Sequence, residues 1–269
     1  MPEIEIIPAP FAIQDEPYPP MLLCEGSAGF YHTDSHNQNT VLPLPRLFFF
    51  EMYFPPFISR TNLQMLSGIG YTAASYPAAG IPPVLKSFWL NYFLTGAKKS
   101  LFYEWYVRGS YSADDLLPPE KNGSGVMTFA LAGVKGRSAS AAAGAIYSYS
   151  PLGGHFAVPA LRVALSTSKI FMEMVFPQKL EVRFLPLSKL SLSGYVRYDP
   201  ASWLISAENQ VLSSTRWQFG IDADTKIVFW LWLRAGAGYE TMNHLSMADN
   251  TYGSIPGQVK IKIGLLMRP

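Results

Sequence analysis

The sequence predicts an all-β fold: a closed antiparallel transmembrane β-barrel of twelve to fourteen strands. Three observations carry this expectation. Apolar and polar or small residues alternate with period two along much of the chain, which places successive side chains on opposite faces of a strand. Many of these runs reach about the 9 to 11 residues that a tilted strand needs to cross a bilayer, where soluble strands have about five or six. The connections also sort into short and long ones that fall largely on opposite ends, as in bacterial membrane barrels with short periplasmic turns and longer outer loops.

Composition agrees with the pattern. Of 269 residues 49% are hydrophobic but only 15% are charged, against about 25% in soluble domains. The 15 Tyr, 17 Phe and 6 Trp are spread along the whole length, which suits strands with one apolar face each. The longest apolar runs, around Ile227 to Leu233 and Leu47 to Phe50, fall far short of the roughly 18 to 20 residues of a spanning helix. A helical membrane protein is therefore excluded. Cys24 stands alone, so neither a disulfide framework nor a thiolate metal cluster is available. A net charge of +2 without any Lys/Arg run gives no basis for nucleic-acid binding.

In chain order, residues 1–20 (MPEIEIIPAPFAIQDEPYPP) are acidic and proline-rich where a secretory signal would have a basic start and an apolar core. They read as a periplasmic N-terminal extension of a mature chain carrying an initiator Met, with the barrel occupying 21–269. The first strand is expected near Leu22. Segments Leu63 to Ala73, Lys86 to Thr95, Leu101 to Tyr111, Val126 to Val134 and Ala157 to Thr167 follow, with Gly, Ala, Ser or an isolated charge on the second face. The alternation is sharpest beyond residue 178. In KLEVRFL, Leu180, Val182 and Phe184 oppose Lys179, Glu181 and Arg183; in KLSLSGYVRY, Leu190, Leu192, Val196 and Tyr198 oppose Lys189, Ser191, Ser193 and Arg197. RWQFGIDAD sets Trp217, Phe219 and Ile221 against Arg216, Gln218 and Asp222, Ile227 to Glu240 continues, and QVKIKIGLL closes the chain with Val259, Ile261, Ile263 and Leu265 against Lys260 and Lys262.

Short turns are expected at GAKK near Gly96, KGRS near Lys135, TSK near Ser168, DPAS near Asp199 and ADT near Asp224. Long loops are expected after Tyr31, Tyr111, Tyr149 and Glu240. The stretch Leu204 to Ala223 fits either one long strand or a hairpin turning at Ser213-Ser214. An even strand number puts both termini on the periplasmic side. A soluble β-sandwich or lipocalin-like barrel would also alternate, but its solvent face should be rich in Lys, Glu, Asp and Thr. Faces such as Gly68, Gly70 and Thr72, or Gly236 and Gly238, are small and suit a crowded lumen instead.

The stretch MVFPQKLEVRFLPLSKLSLSGYVRYDP, Met174 to Pro200, resembles a strand-turn-strand pattern of uncharacterised outer-membrane β-barrel proteins of Gram-negative bacteria. Phe176-Pro177 matches the apolar-Pro pair before a strand, and Ser188-Lys189-Leu190 the turn into a Leu-rich strand. The match extends over about a third of the chain, to around Tyr239. The resemblance implies an outer-membrane location, with membrane lipid and lipopolysaccharide as contacts, and carries no catalytic residues. The ending LLMRP departs from the terminal aromatic residue common in such barrels.

No cofactor or metal site is expected. His32, His36, His155 and His244 all read as loop residues, and no third ligand stands at a metal-binding spacing from the pair in YHTDSHNQN. No GxSxG occurs, so a lipid-modifying hydrolase has no visible nucleophile. Tyr103, Trp105, Tyr198, Trp203, Trp217, Trp230, Trp232 and Tyr239 read as aromatic girdles at the membrane boundary, with a sugar platform as the alternative. The charges expected to face the lumen are Glu104, Arg108, Lys179, Glu181, Arg183, Lys189, Arg197, Arg216, Asp222, Arg234, Lys260 and Lys262. These either line a path for small polar solutes, which predicts porin-like passage, or pair across the lumen and close it, which predicts a structural barrel serving a protein partner.

Overall fold

A strand with one oily row can hold that row against lipid only if its backbone pairs on both sides and its other row turns inward, so the strands must close into a ring. The computed structural model of the chain shows that ring. It describes residues 22–31, 46–54, 58–60, 63–75, 84–113, 124–150, 154–205, 210–241, 243–247, 250–255 and 257–267. The expected extension at 1–20 lies outside the described residues, as do His32 and His36.

The ring opens with β1 (Leu22–Tyr31), β2 (Arg46–Tyr53) and, past a three-residue β3 (Ile58–Arg60), β4 (Leu63–Ser75). It continues through β5 (Leu85–Lys98), β6 (Leu101–Ala113), β7 (Ser124–Lys135), β8 (Ala139–Ser150) and β9 (Gly154–Ser166). β10 (Ile170–Phe176) and β11 (Lys179–Leu187) are short, whereas β12 (Leu190–Ile205) and β13 (Gln210–Val228) are long. After β14 (Leu231–Glu240), the hairpin of β15 (Asn243–Met247) and β16 (Asn250–Ile255) leans on the far end of β13. β17 (Gln258–Met267) then pairs with both β14 and β1. Fourteen antiparallel strands thus form a closed barrel. The closing seam runs without a bulge from Leu22 opposite Met267 to Tyr31 opposite Gln258.

One end of the ring carries tight connections at Lys99–Ser100, 136–138, 167–169, Ser188–Lys189 and Phe229–Trp230. Lys99 has φ 56° and Phe229 φ 25°, the positive values that two-residue hairpin turns require. Two expected turns are corrected. Asp199 and Pro200 lie inside β12, and Asp224 inside β13. Ser213 and Ser214 are also strand residues, paired with Ser202 and Ala201, so of the two expected arrangements the chain takes the single long strand. Where a long loop is expected after Tyr149, β8 runs on to Ser150 and β9 begins at Gly154, and His155 and His244 sit in β9 and β15.

Outward rows are apolar: Leu161, Leu165, Leu180, Val182, Phe219, Ile221, Ile261 and Ile263 are all exposed. Placing a charge there tests the lipid contact. Ile261→Lys is expected to cost about 2–4 kcal/mol, as a cation near the bilayer midplane does, while Val259→Lys nearer the rim costs about 1 or less. Urea titration of the protein folded in vesicles reads both; equal small costs would contradict a lipid belt at this height.

Candidate functional site

The inner wall divides in two. Along β4 to β9 the inward row is largely apolar, with Phe102, Leu131, Ala142, Ile146 and Ala160 buried together and Leu66, Phe93 and Tyr106 in a second group beside them. From β10 round to β1 and β2 the inward row is charged. Because each of these positions alternates with a lipid-facing residue, every charge is projected into the interior, where it needs a partner.

Three groups of partners form. The longest begins at Glu104 on β6, whose Oε1 takes the Arg162 Nη1 at 2.8 Å, although Arg162 stands on β9 with two strands between. Arg162 Nε also reaches Glu173 Oε1 at 2.8 Å, and Glu173 Oε2 accepts Lys179 Nζ at 2.8 Å. Lys179 continues to Glu181 at 2.8 Å, which further holds Arg183 at 2.7 Å and Arg197 at 3.6 Å. Glu104, Arg162 and Glu173 are no more than 3% exposed. The chord from Glu104 to Arg162 spans β7 and β8, where Leu131 is the ladder partner of Glu104 and Ala142 that of Arg162.

The second group centres on Glu51 of β2. Its Oε1 accepts from Asn91 Nδ2 at 2.8 Å, Trp89 Nε1 at 3.2 Å and Arg108 Nη2 at 3.5 Å. Arg108 Nε also donates to Asn91 Oδ1 at 2.9 Å, and its guanidinium lies 4.9 Å above the Trp89 ring. Gly70 makes this possible, because a Cβ there would occupy the space of the Trp89 indole. Gly70→Val is therefore expected to displace Trp89 from Glu51 and cost about 1–3 kcal/mol, read as a lowered urea midpoint; an unchanged midpoint would show that the indole has another place to go.

The third group closes the circle across β13, β14, β17 and β1. Arg234 forks onto Asp224 through Nε at 2.7 Å and Nη2 at 3.0 Å, and stands 3.8 Å from Glu25. Lys262 bridges Asp222 at 2.6 Å and the Tyr195 hydroxyl at 2.9 Å, and Lys260 pairs with Glu240.

The structure thus places Glu104, Arg108, Lys179, Glu181, Arg183, Arg197, Asp222, Arg234, Lys260 and Lys262 on the inner face. Lys189 is a correction: it occupies the exposed Ser188–Lys189 turn, where strand alternation no longer applies. The side chains of Arg216 and Trp203 lie outside the described residues. Tyr103, Trp105, Tyr198, Trp217 and Tyr239 face outward, Tyr198 and Trp217 with ring centroids 5.2 Å apart, and Trp230 sits exposed in the β13–β14 turn. Trp232 is a second correction: it shares the inward row of Arg234, is 9% exposed and lies beneath the Lys226 ammonium.

Sequence reasoning missed Glu25, Glu51, Asn91, Arg162, Glu173 and Glu240. The available signal was a lone charge within an oily run, as in IFMEMVF around Glu173 or PALRVAL around Arg162. On the outer face, the Tyr147 hydroxyl meets His155 Nδ1 at 2.6 Å, and Tyr149 packs on the same imidazole with centroids 4.8 Å apart. Those contacts are aromatic and phenolic and supply no serine nucleophile to the imidazole.

No family model and no curated relative matches the chain. Among solved structures, outer membrane phospholipase A from Escherichia coli aligns with TM-score 0.45 and 10% identity, over 93% of this chain and 93% of that one. The calcium-bound outer membrane phospholipase dimer of Salmonella typhi gives 0.44 and 10%, over 96% and 93%. A porin variant from Rh. blastica gives 0.35 and 9%, over 92% and 99%. Likeness at this level transfers no residue assignment.

Proposed function

We propose that the chain is an outer-membrane barrel for the passage of small solutes, held narrow at rest. The observation that carries this reading is the ion-paired chain from Glu104 to Arg197 on the interior of a fourteen-strand ring. About eight strands enclose a space that side chains can fill, whereas 16 to 18 leave an aqueous channel. Fourteen therefore leave room that a single layer of side chains does not occupy. Paired carboxylates and cations keep the wall close to neutral and bring its two signs to one edge of that room. The outer-membrane location rests on the closed ring, the oily outer rows and the outward aromatics near both rims.

Single-channel conductance of the refolded protein in a planar bilayer, across a range of salt, tests the reading. Brief, salt-scaled openings are expected, with ion selectivity shifted by Glu181→Gln. Insertion without any current at any salt or voltage would overturn it. The second reading, a closed barrel serving a protein partner, is favoured by one feature: the end of β12 crosses to β6, where Leu204 pairs in parallel with Ala113.

A further inference from the structure

β10 is the shortest strand of the ring, and the β10–β11 hairpin turns at Pro177–Gln178 well before its neighbours end. β9 meets β10 only from Ser166 to Leu161. β12 meets β11 only up to Arg197, beyond which the Tyr198 N–H donates to the Gln178 carbonyl at 2.8 Å. Above that level 154–160 of β9 has no ladder on this side among the described residues, and β12 leaves the wall, its Leu204 reaching Ala113 of β6 across the ring, so a gap opens between them. The seven residues of β10, at ~3.4 Å each and tilted about 40°, rise roughly 18 Å against an apolar band of about 25 Å. The gap therefore descends below the lipid surface.

Two prolines make the gap permanent. The Ser166 N–H points to β8, where it donates to the Ser138 carbonyl at 2.8 Å, so odd-numbered N–H positions of the unbulged β9 point the other way, and Pro159 is one of them. On β12 the Tyr198 N–H points toward β11, and so does the position of Pro200. Each edge thus carries a residue without an N–H where a ladder would need one. That bars β9 from pairing with β12, and it equally discourages a foreign strand from adding to either edge.

Behind the gap lies a cavity of about 190 Å³, walled by Phe129, Leu131, Ile146, Ala160 and Val175, with the ion-paired Glu173 and Lys179 and Gln178 at one side. On the outer side, Leu161 and Phe176 face lipid, so apolar side chains stand both outside the hairpin tip and, at Ala160 and Val175, behind it. We propose that this gap is a lateral port through which small neutral apolar molecules dissolved in the bilayer exchange with the lumen pocket. A cavity of about 150 Å³ binds benzene, so this one takes a single six-membered ring or a short alkyl chain, and a whole phospholipid is too large. The inference deepens the solute-passage reading and rests on it.

The test places a thiol in the pocket: Leu131→Cys in a Cys24→Ala background, folded in vesicles, with folding checked by heat-modifiable gel migration. Neutral methyl methanethiosulfonate partitioned into the bilayer is compared with a water-borne sulfonate methanethiosulfonate, which has the same reactive group, each rate being taken relative to that with a free thiol. The neutral reagent is expected to label about tenfold faster, because a charged one is barred from the lipid route. Lengthening the β10–β11 hairpin by two residues in each arm should remove that advantage; if the longer hairpin does not fold, Ala160→Phe, which fills the pocket, should do the same. Neutral labelling that ignores both changes overturns the port and leaves the passage reading standing, as does equally fast labelling by the sulfonate. Protection from both reagents, such as a lodged acyl chain would give, overturns the port and the passage reading together.

Discussion

Replacing Arg162 by methionine is expected to cost about 3–5 kcal/mol of barrel stability, the range for removing one partner of a buried ion pair. Arg162 is 3% exposed and joins Glu104 to Glu173, each at 2.8 Å. Without it, Glu104 loses the only ion-pair partner described for it, while Glu173 keeps Lys179. The penalty therefore falls mainly on Glu104. A double replacement, Arg162→Met with Glu104→Gln, removes the stranded charge and should recover a substantial part of the loss. Urea midpoints of the four proteins folded in vesicles give the coupling directly. A single-mutant cost below about 1 kcal/mol, the range of an exposed pair, would mean that water reaches this chord and that it closes nothing.

Shortening the strap formed by the ends of β12 and β13 is expected to open the mouth. Deleting 201–204 together with 211–214 removes four paired positions from each arm in register and takes away the contact between Leu204 and Ala113. β6 and β12 lie six positions apart in the ring of fourteen, so that contact spans nearly its full width. If the strap favours the closed form by about 99 to 1, its removal brings the two forms to parity and raises the open fraction about 50-fold. Single-channel recording reads this as long openings in place of brief ones. An unchanged record from a folded, inserted variant would place the constriction lower, at the chord between Glu104 and Arg162.

Much of this architecture was legible in the sequence, and the exceptions have physical reasons. KLEVRFL and QVKIKIGLL declare both faces of β11 and β17 because period two is a property of the strand itself. The same rule misassigned Lys189, since alternation carries on through the letters of a turn that the chain has already entered. Asp199-Pro200 has the local chemistry of a turn, yet it lies within β12, because Pro200 points its missing N–H into the gap left by the short β11. Trp232 is aromatic and near a strand end, but parity with Arg234 decides its direction. The partnership of Glu104 with Arg162 had no local signal at all, because it depends on which strands the closed ring sets facing one another.

The seam between β1 and β17 has a consequence for how the molecule comes into being. Leu22 and Met267, far apart in sequence, are cross-strand partners, so β17, made after the other thirteen strands of the ring, completes the edge exposed by β1. Until it arrives, β1 and β14 each present a row of unsatisfied amides that lipid cannot accept, and every intermediate is an open sheet that needs shelter. Contacts this distant in sequence form slowly. Closure is therefore the committing event of folding, and a chain shortened by its final ten residues should fail to fold at all rather than yield a smaller, looser barrel.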